Sequence, residues 1–117
     1  MSDPAVAAPP SASTLAEALA AAFAGEVAQR LPRMRDAVER LRAAGAPDAA
    51  IALRGDAHTL ASSAIIVNRP AVAELARRCE LLLNPYCEPG MDRVPTEVAD
   101  AAAHCVEAMQ AELCVGN

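Results

Sequence analysis

Residues 48–68 decide the fold, and they read DAAIALRGDAHTLASSAIIVN. On a helical wheel at about 100° per residue, a set of apolar side chains falls within about 60° of the pole opposite His58. These side chains are Ala49, Leu53, Leu60, Ala64 and Val67. We therefore predict a helix that buries this face against neighbouring helices and leaves His58 in solvent.

The exposed side of this helix is built mostly from small residues. Its members are Arg54, Gly55, Ala61 and Ser62 within one turn of His58, and Ile51 and Ile65 two turns away. Glycine inside a helix costs about 1 kcal/mol relative to alanine, so Gly55 indicates a close approach to the backbone. Isoleucines on an exposed face predict a docking surface. A solvated surface histidine, one of two in the chain, is the competing interpretation of His58.

The acidic residue of this segment needs a different explanation. Asp56 falls near the buried face of the wheel. A buried carboxylate requires a partner, so we predict an ion pair with Arg77 or Arg78 on the following helix.

The composition of the 117-residue chain favours one helical domain. Apolar residues make up 54% and aromatic residues 2%, with 30 alanines and no lysine. Alanine, leucine, glutamate and arginine favour helices, so the fold class is predicted to be all-α. The net charge of −5 and the shortage of aromatic side chains argue against nucleic-acid binding.

Membrane insertion is not expected from this sequence. The longest strictly apolar run covers residues 18–24, far short of the roughly 20 residues that a spanning helix needs. The first residues lack the basic start of a signal peptide. We therefore expect a cytoplasmic protein that does not contact membranes.

The rest of the chain reads as a leader followed by one helical domain. Residues 1–13 hold alanine, proline and serine, and predict a disordered leader. Thr14 and Glu17 are expected to form a capping box, and Pro32 predicts a kink or a restart of the helix near Arg30. Gly45 and Asn68 predict helix ends. The predicted helices cover 14–30, 32–44, a segment from 47 or 48 to about 67, 70–84 and a last segment from 95 or 96. With short connections, they form an up-and-down antiparallel four-helix bundle with an additional N-terminal helix over 14–117.

The four cysteines show no metal-binding spacing. They are Cys79, Cys87, Cys105 and Cys114. No pair has the short spacing of a zinc knuckle, so we predict no metal site and read Cys79 and Cys105 as small core residues. A metal- or thiol-based redox role remains as an alternative for these four residues.

The order of residues around His58 resembles the histidine-containing phosphotransfer (HPt) domain family. The family's signature is an alanine-histidine-x-leucine-lysine-glycine-serine run, which aligns with residues 57–63, AHTLASS. Glu80 matches the end of the family's following helix. Two positions depart from the signature, because Ala61 replaces the lysine and Ser62 replaces the glycine. Asn68 stands in place of a helix-ending glycine.

This resemblance implies a phosphorelay intermediate. His58 would accept a phosphoryl group from a receiver-domain aspartate or a histidine kinase and pass it to another response-regulator receiver. The partners would be receiver domains and a hybrid histidine kinase, with Mg²⁺ supplied by the receiver and no cofactor of the chain's own. The protein would be a carrier rather than a turnover enzyme, and no autokinase activity is expected because no phosphate-binding loop is present.

The helical wheel, taken with this resemblance, suggests roles for the neighbours of His58. Arg54, Gly55, Ala61, Ser62, Ile51 and Ile65 are the residues expected to contact the phosphoryl group or the partner. Arg54 is our hypothesis for the cation that replaces the missing lysine. Ser62 or Ser63 would bond the phosphoryl group or the backbone, with the backbone favoured for Ser63.

A degenerate adaptor is the alternative function. It would bind receiver or kinase domains without carrying phosphate, because Ala61 lacks the charge of the family's lysine. We expect a monomer, although the apolar rim of Ile51, Ile65 and Ile66 could support self-association.

Overall fold

A computed structural model describes residues 12–115 of the chain. It contains four α-helices: α1 (Ala12–Ala44), α2 (Pro47–Ile66), α3 (Pro70–Leu83) and α4 (Thr96–Val115). One turn of 3-10 helix, Asn84–Tyr86, follows α3, and no strand occurs within 12–115. The all-α prediction is confirmed. Of the disordered leader predicted for residues 1–13, residues 1–11 lie outside the described residues, while Ala12 and Ser13 belong to α1.

The helices form the predicted four-helix bundle. α1 packs against α2 and α4, and α3 also packs against α2 and α4, so every helix touches two neighbours. The short connections after α1 and α2 make consecutive helices antiparallel. The largest fully buried side chains are Met34, Leu41, Leu53, Leu60, Leu83 and Met109. No helix within residues 12–115 is both long enough and apolar enough to span a membrane.

The first helix is longer than the sequence pattern predicts. α1 continues through Pro32, so the two predicted segments 14–30 and 32–44 are one helix, and the additional N-terminal helix is its first part. Pro32 faces solvent, where water can satisfy the carbonyl that proline leaves unbonded. Leu31 and Met34 on either side of Pro32 are buried and hold both parts on the same core. The helix also begins at Ala12, so Thr14 lies inside it rather than capping it.

The end of α1 depends on a glycine. Gly45 has a φ of +60°, and its N–H donates to the Leu41 carbonyl oxygen at 2.7 Å. The Gly45 carbonyl then accepts from the N–H of Val94 at 2.9 Å, which ties the loop before α4 to the end of α1. A Cβ atom at Gly45 would lie 2.7 Å from the Val94 carbonyl oxygen. The left-handed conformation and the close contact together require glycine here.

The end of α2 has the same local chemistry with a different residue. Asn68 has a φ of 58° and donates its N–H to the Ile65 carbonyl at 3.1 Å. The N–H of Arg69 reaches the Ala64 carbonyl at 2.7 Å, which completes a Schellman motif. The predicted stop at Asn68 is therefore confirmed. It turns the chain directly into α3, and α3 supplies a partner for His58.

Candidate functional site

His58 lies on the solvent-facing side of α2, as the wheel predicts. Its side chain is 67% exposed, and its Nδ1 atom lies 2.8 Å from Oε2 of Glu80 on α3. A carboxylate only accepts hydrogen bonds, so this contact places a proton on Nδ1. The neutral imidazole then carries its free lone pair on Nε2, for which the described residues supply no hydrogen-bond partner. The site thus presents one exposed nucleophilic nitrogen with a fixed orientation.

Glu80 is the residue in contact with His58 that reasoning from the residues themselves missed. Only its place in the family pattern drew attention to it. Its side chain is 20% exposed, so the carboxylate is held near the helix–helix boundary rather than free in solvent. The available signal was its position on the helix that follows Asn68, since a short turn makes α3 antiparallel to α2. That arrangement brings the later residues of α3 level with the middle of α2.

Hydroxyl groups flank His58 without covering the ring. Ser62 Oγ donates to the His58 carbonyl at 3.3 Å, and Thr59 Oγ1 donates to the Gly55 carbonyl at 3.2 Å. Among the described residues it is therefore Ser62, rather than Ser63, that makes the side-chain bond to the backbone. Both bonds run back along α2 and leave the space in front of the imidazole open.

The predicted docking residues lie on open surface on both sides of His58. Gly55 is exposed, and a Cβ atom there would meet nothing within 4 Å. Ile51, 49% exposed, lines a groove between α1 and α2 together with Gly55 and Pro32. Ile65, 67% exposed, lies toward the other end of α2. The space above Gly55 is therefore free for an approaching molecule.

Ala61 does not lie where the wheel places it. Its side chain is 6% exposed, so it belongs to the core rather than to the exposed face of α2. The reason is that α2 packs against both α1 and α3, which widens its buried arc to include Ala57 and Ala61. Ala61 can therefore offer almost no surface to a phosphoryl group or a partner. Its small side chain instead allows α3 to approach.

Asp56 is buried as predicted, but its partners are on a different helix. Its Oδ1 atom accepts from Arg30 Nη1 at 2.8 Å and from Arg33 Nη2 at 2.6 Å, and both arginines belong to α1. The prediction of Arg77 or Arg78 is wrong because Asp56 lies on the side of α2 that faces α1. The paired Asp56 joins α1 to α2 two residues before His58.

Arg54 lies one turn before His58 and is half-buried. It forms no ion pair within the described residues. Its charge acts on Cys87, just after the 3-10 turn: burial raises the pKa of the Cys87 thiol, and the nearby Arg54 opposes that rise. Because the thiol stays protonated near neutral pH, Cys87 does not neutralise Arg54.

Two of the four cysteines, Cys79 and Cys105, pack against the core as predicted. Cys79 is fully buried, and burial, with a smaller contribution from nearby Cys105, raises its pKa to about 12. Cys105 is partly buried against the same core. All four cysteines are free, and residues 12–115 contain no cluster of three or more potential metal ligands among their His, Cys, Asp and Glu side chains.

Comparison with known families agrees with this geometry. The model of the Hpt domain matches residues 18–113, which include all of α2 and α3. Comparison with curated proteins and with solved structures gave no match. The family match covers the helical bundle, the exposed histidine and its carboxylate partner together. The chain therefore belongs to the Hpt domain family, whose members act in histidine phosphotransfer in two-component signalling.

Proposed function

We propose that this protein is a phosphorelay intermediate that carries a phosphoryl group on Nε2 of His58. The supporting observation is the 2.8 Å contact between His58 Nδ1 and Glu80 Oε2 on a ring that is otherwise exposed. This contact selects the tautomer in which Nε2 is the nucleophile. A solvated surface histidine would have neither the selected tautomer nor the fixed orientation.

The transfer step needs only this imidazole and the partner's active site. The Nε2 lone pair attacks the phosphorus of a receiver's aspartyl phosphate and forms a P–N bond. The P–O bond breaks, and the aspartate leaves as a carboxylate with the electron pair. The Nδ1 proton stays between the ring and Glu80, whose negative charge stabilises the positive ring that forms. The reverse sequence on a second receiver passes the phosphoryl group on.

The surroundings of His58 fit a large docking partner. Gly55 and Ser62 leave the imidazole unobstructed, and Ile51 and Ile65 provide apolar contact at either side. The receiver would bring its own Mg²⁺ and acidic pocket, so this chain contributes positioning and charge rather than a cofactor. With ATP alone, we expect no labelling of the protein.

A second candidate function is the adaptor that binds receivers or kinases without carrying phosphate. The observation in its favour is Ala61, a buried alanine where the family has a lysine. The two functions share a docking surface and differ only in whether His58 forms a covalent bond. A labelling experiment therefore separates them.

The test is transfer from a receiver domain phosphorylated with ³²P. We expect the wild-type protein to take up label that acid removes and alkali does not, as is characteristic of a phosphoramidate. His58→Gln should take up none. His104→Gln is the matched control, because His104 is the other histidine and is exposed on α4. Binding of the receiver without label in the wild-type protein would establish the adaptor instead.

A further inference from the structure

Phosphorylation of His58 would add negative charge to a site where no described contact supplies a positive side chain. A phosphoryl group brings a charge of roughly −1.5 to −2 near neutral pH. Glu80 is already bonded to the opposite nitrogen of the same ring, 2.8 Å from Nδ1. Negative charges this close repel, and the repulsion is only partly screened at a protein surface. The positive charge that the ring gains on phosphorylation offsets only the charge of Glu80, so the phosphoryl group still needs further positive charge nearby.

The arginines divide into those already engaged and those that are not. All ten basic residues of the chain are arginines. Six of them have an ion pair or hydrogen bond: Arg30, Arg33, Arg40, Arg42, Arg69 and Arg78. Within the described residues, four have neither: Arg35, Arg54, Arg77 and Arg93. Two of these four, Arg54 and Arg77, belong to the helices that form the His58 site.

Arg54 approaches the site from the N-terminal side of α2. It lies four residues before His58, which is about 6 Å along the helix axis and on nearly the same face. Its influence on the Cys87 thiol places its side chain on the side of α2 that faces α3 and the 3-10 turn. Glu80 also contacts His58 from that side.

Arg77 approaches from the opposite direction. It lies three residues before Glu80 on α3, so the two side chains emerge on adjacent parts of the same face. Because α3 runs antiparallel to α2 and Glu80 is level with His58, Arg77 lies level with residues one turn after His58. Arg77 is exposed, and the neighbouring Glu74 is taken up by Arg78 at 2.8 Å. Its guanidinium is therefore free to turn toward a new anion.

We propose that Arg54 and Arg77 bracket the imidazole and together hold the charge of the phosphoryl group on His58. The proposal rests on the proposed function and adds the residues that stabilise the phosphorylated state. Arginine suits this task because its planar guanidinium pairs with phosphate oxygens through two parallel hydrogen bonds. The two cations offset the charge of the phosphoryl group.

The test uses potassium phosphoramidate, a small phosphoryl donor that requires no partner protein. Nε2 of His58 bonds to phosphorus, the P–N bond of the donor breaks, and ammonia leaves with the electron pair. ³¹P NMR then gives the rate of uptake and the pKa of the bound phosphoryl group. The variants are Arg54→Gln, Arg77→Gln and the double variant, since glutamine keeps the helix propensity of arginine.

The matched control is Arg35→Gln. Arg35 is exposed and has no ion pair with any residue in 12–115, and it lines a groove between α1 and α4 away from His58. We expect each test variant to slow uptake about threefold to tenfold and to raise the phosphoryl pKa by about half to one pH unit, with larger effects in the double variant. The control should match the wild type.

Two results would overturn the proposal. One is a double variant whose uptake rate and phosphoryl pKa equal those of Arg35→Gln. The other is a wild-type protein in which His58 takes no phosphoryl group from phosphoramidate, which would refute the carrier function as well. A third result would refute only the carrier function. In that case phosphoramidate phosphorylates His58, but phosphorylated receivers transfer no phosphoryl group to it. The uptake rates and phosphoryl pKa values of the arginine variants can then still be compared with those of Arg35→Gln.

Discussion

Replacing Asp56 with asparagine should destabilise the bundle substantially. Asp56 is 8% exposed, and its Oδ1 accepts two hydrogen bonds from α1, at 2.8 Å from Arg30 and at 2.6 Å from Arg33. A hydrogen bond to a charged group contributes about 1.5–3 kcal/mol. The Arg33 side chain is 58% exposed, so solvent screening reduces its share to about 1 kcal/mol or less. Asparagine keeps one neutral acceptor, so we expect a loss of about 2–3 kcal/mol.

The measurement is urea and thermal unfolding followed by far-UV circular dichroism. For a domain of this size, the expected loss corresponds to a fall in Tm of roughly 8–15 °C. Asp48→Asn is the matched control, because Asp48 also lies on α2 and pairs with an α1 arginine, Arg40. That pair is at the surface, with the Asp48 side chain 70% exposed, so its loss should shift Tm much less.

A double-mutant cycle with Arg30→Gln separates the ion pair from other effects of the substitution. If Asp56 acts through Arg30, the double variant loses less stability than the sum of the two single variants. A shift in Tm for Asp56→Asn no larger than that for Asp48→Asn would refute this role of Asp56. Single effects that add without coupling would also refute it, because the Asp56–Arg30 pair would then contribute no stability of its own.

Three other changes test the site, the core and the loop. Glu80→Ala should slow phosphoryl transfer to His58 by about tenfold to a hundredfold, which is the equivalent of one charge-assisted hydrogen bond. Glu80→Gln should slow the transfer less, because its amide oxygen still accepts from Nδ1. Equal transfer rates for the wild type and both variants in the ³²P assay would contradict this role of Glu80. Burial raises the pKa of Cys79 from 9.0 to about 12. The native state therefore keeps a proton that the unfolded state releases, and the free energy of unfolding should fall above about pH 9 by up to about 1.4 kcal/mol per pH unit. Urea titrations at several pH values should show this slope, and Cys79→Ala should flatten it; a slope unchanged in that variant would mean that another group causes it. Gly45→Ala should cost at least about 2 kcal/mol in urea unfolding, because φ is +60° and the new Cβ would lie 2.7 Å from a carbonyl oxygen. Gly25→Ala is the control, because a Cβ there meets nothing within 4 Å, and it should stabilise α1 by about 0.5–1 kcal/mol. Similar changes in stability for the two variants would mean that the backbone conformation and the close contact at Gly45 are not the cause.

Local chemistry made much of the fold predictable from the sequence. Gly45 and Asn68 end helices because they tolerate left-handed backbone conformations, and this property does not depend on the rest of the structure. The exposure of His58 follows from helical periodicity in the same way. Pro32 shows where a local rule fails. Proline destabilises a helix interior, but the burial of Leu31 and Met34 in one continuous core outweighs that cost.

The site was less predictable because it depends on which helices flank α2. Alanine fits a buried or an exposed position equally well, so the wheel cannot show that Ala61 faces α3. Asp56 shows the same limit, because a wheel gives a direction but not the helix that lies there. The contact between Glu80 and His58 joins residues 22 positions apart, and only the turn at Asn68 brings them level. These features are set by packing between helices rather than by any one segment.

If His58 carries the phosphoryl group as proposed, the contact at its Nδ1 atom would also determine which phosphohistidine forms. Histidine can be modified on either ring nitrogen, and the two regioisomers differ in chemical stability and in the reagents that recognise them. With Nδ1 directed at Glu80, we expect the modification to fall on the outer nitrogen and to give the τ isomer alone. An antibody or NMR signature specific for that isomer would therefore report on this site, and a π-isomer signal would have to come from another histidine.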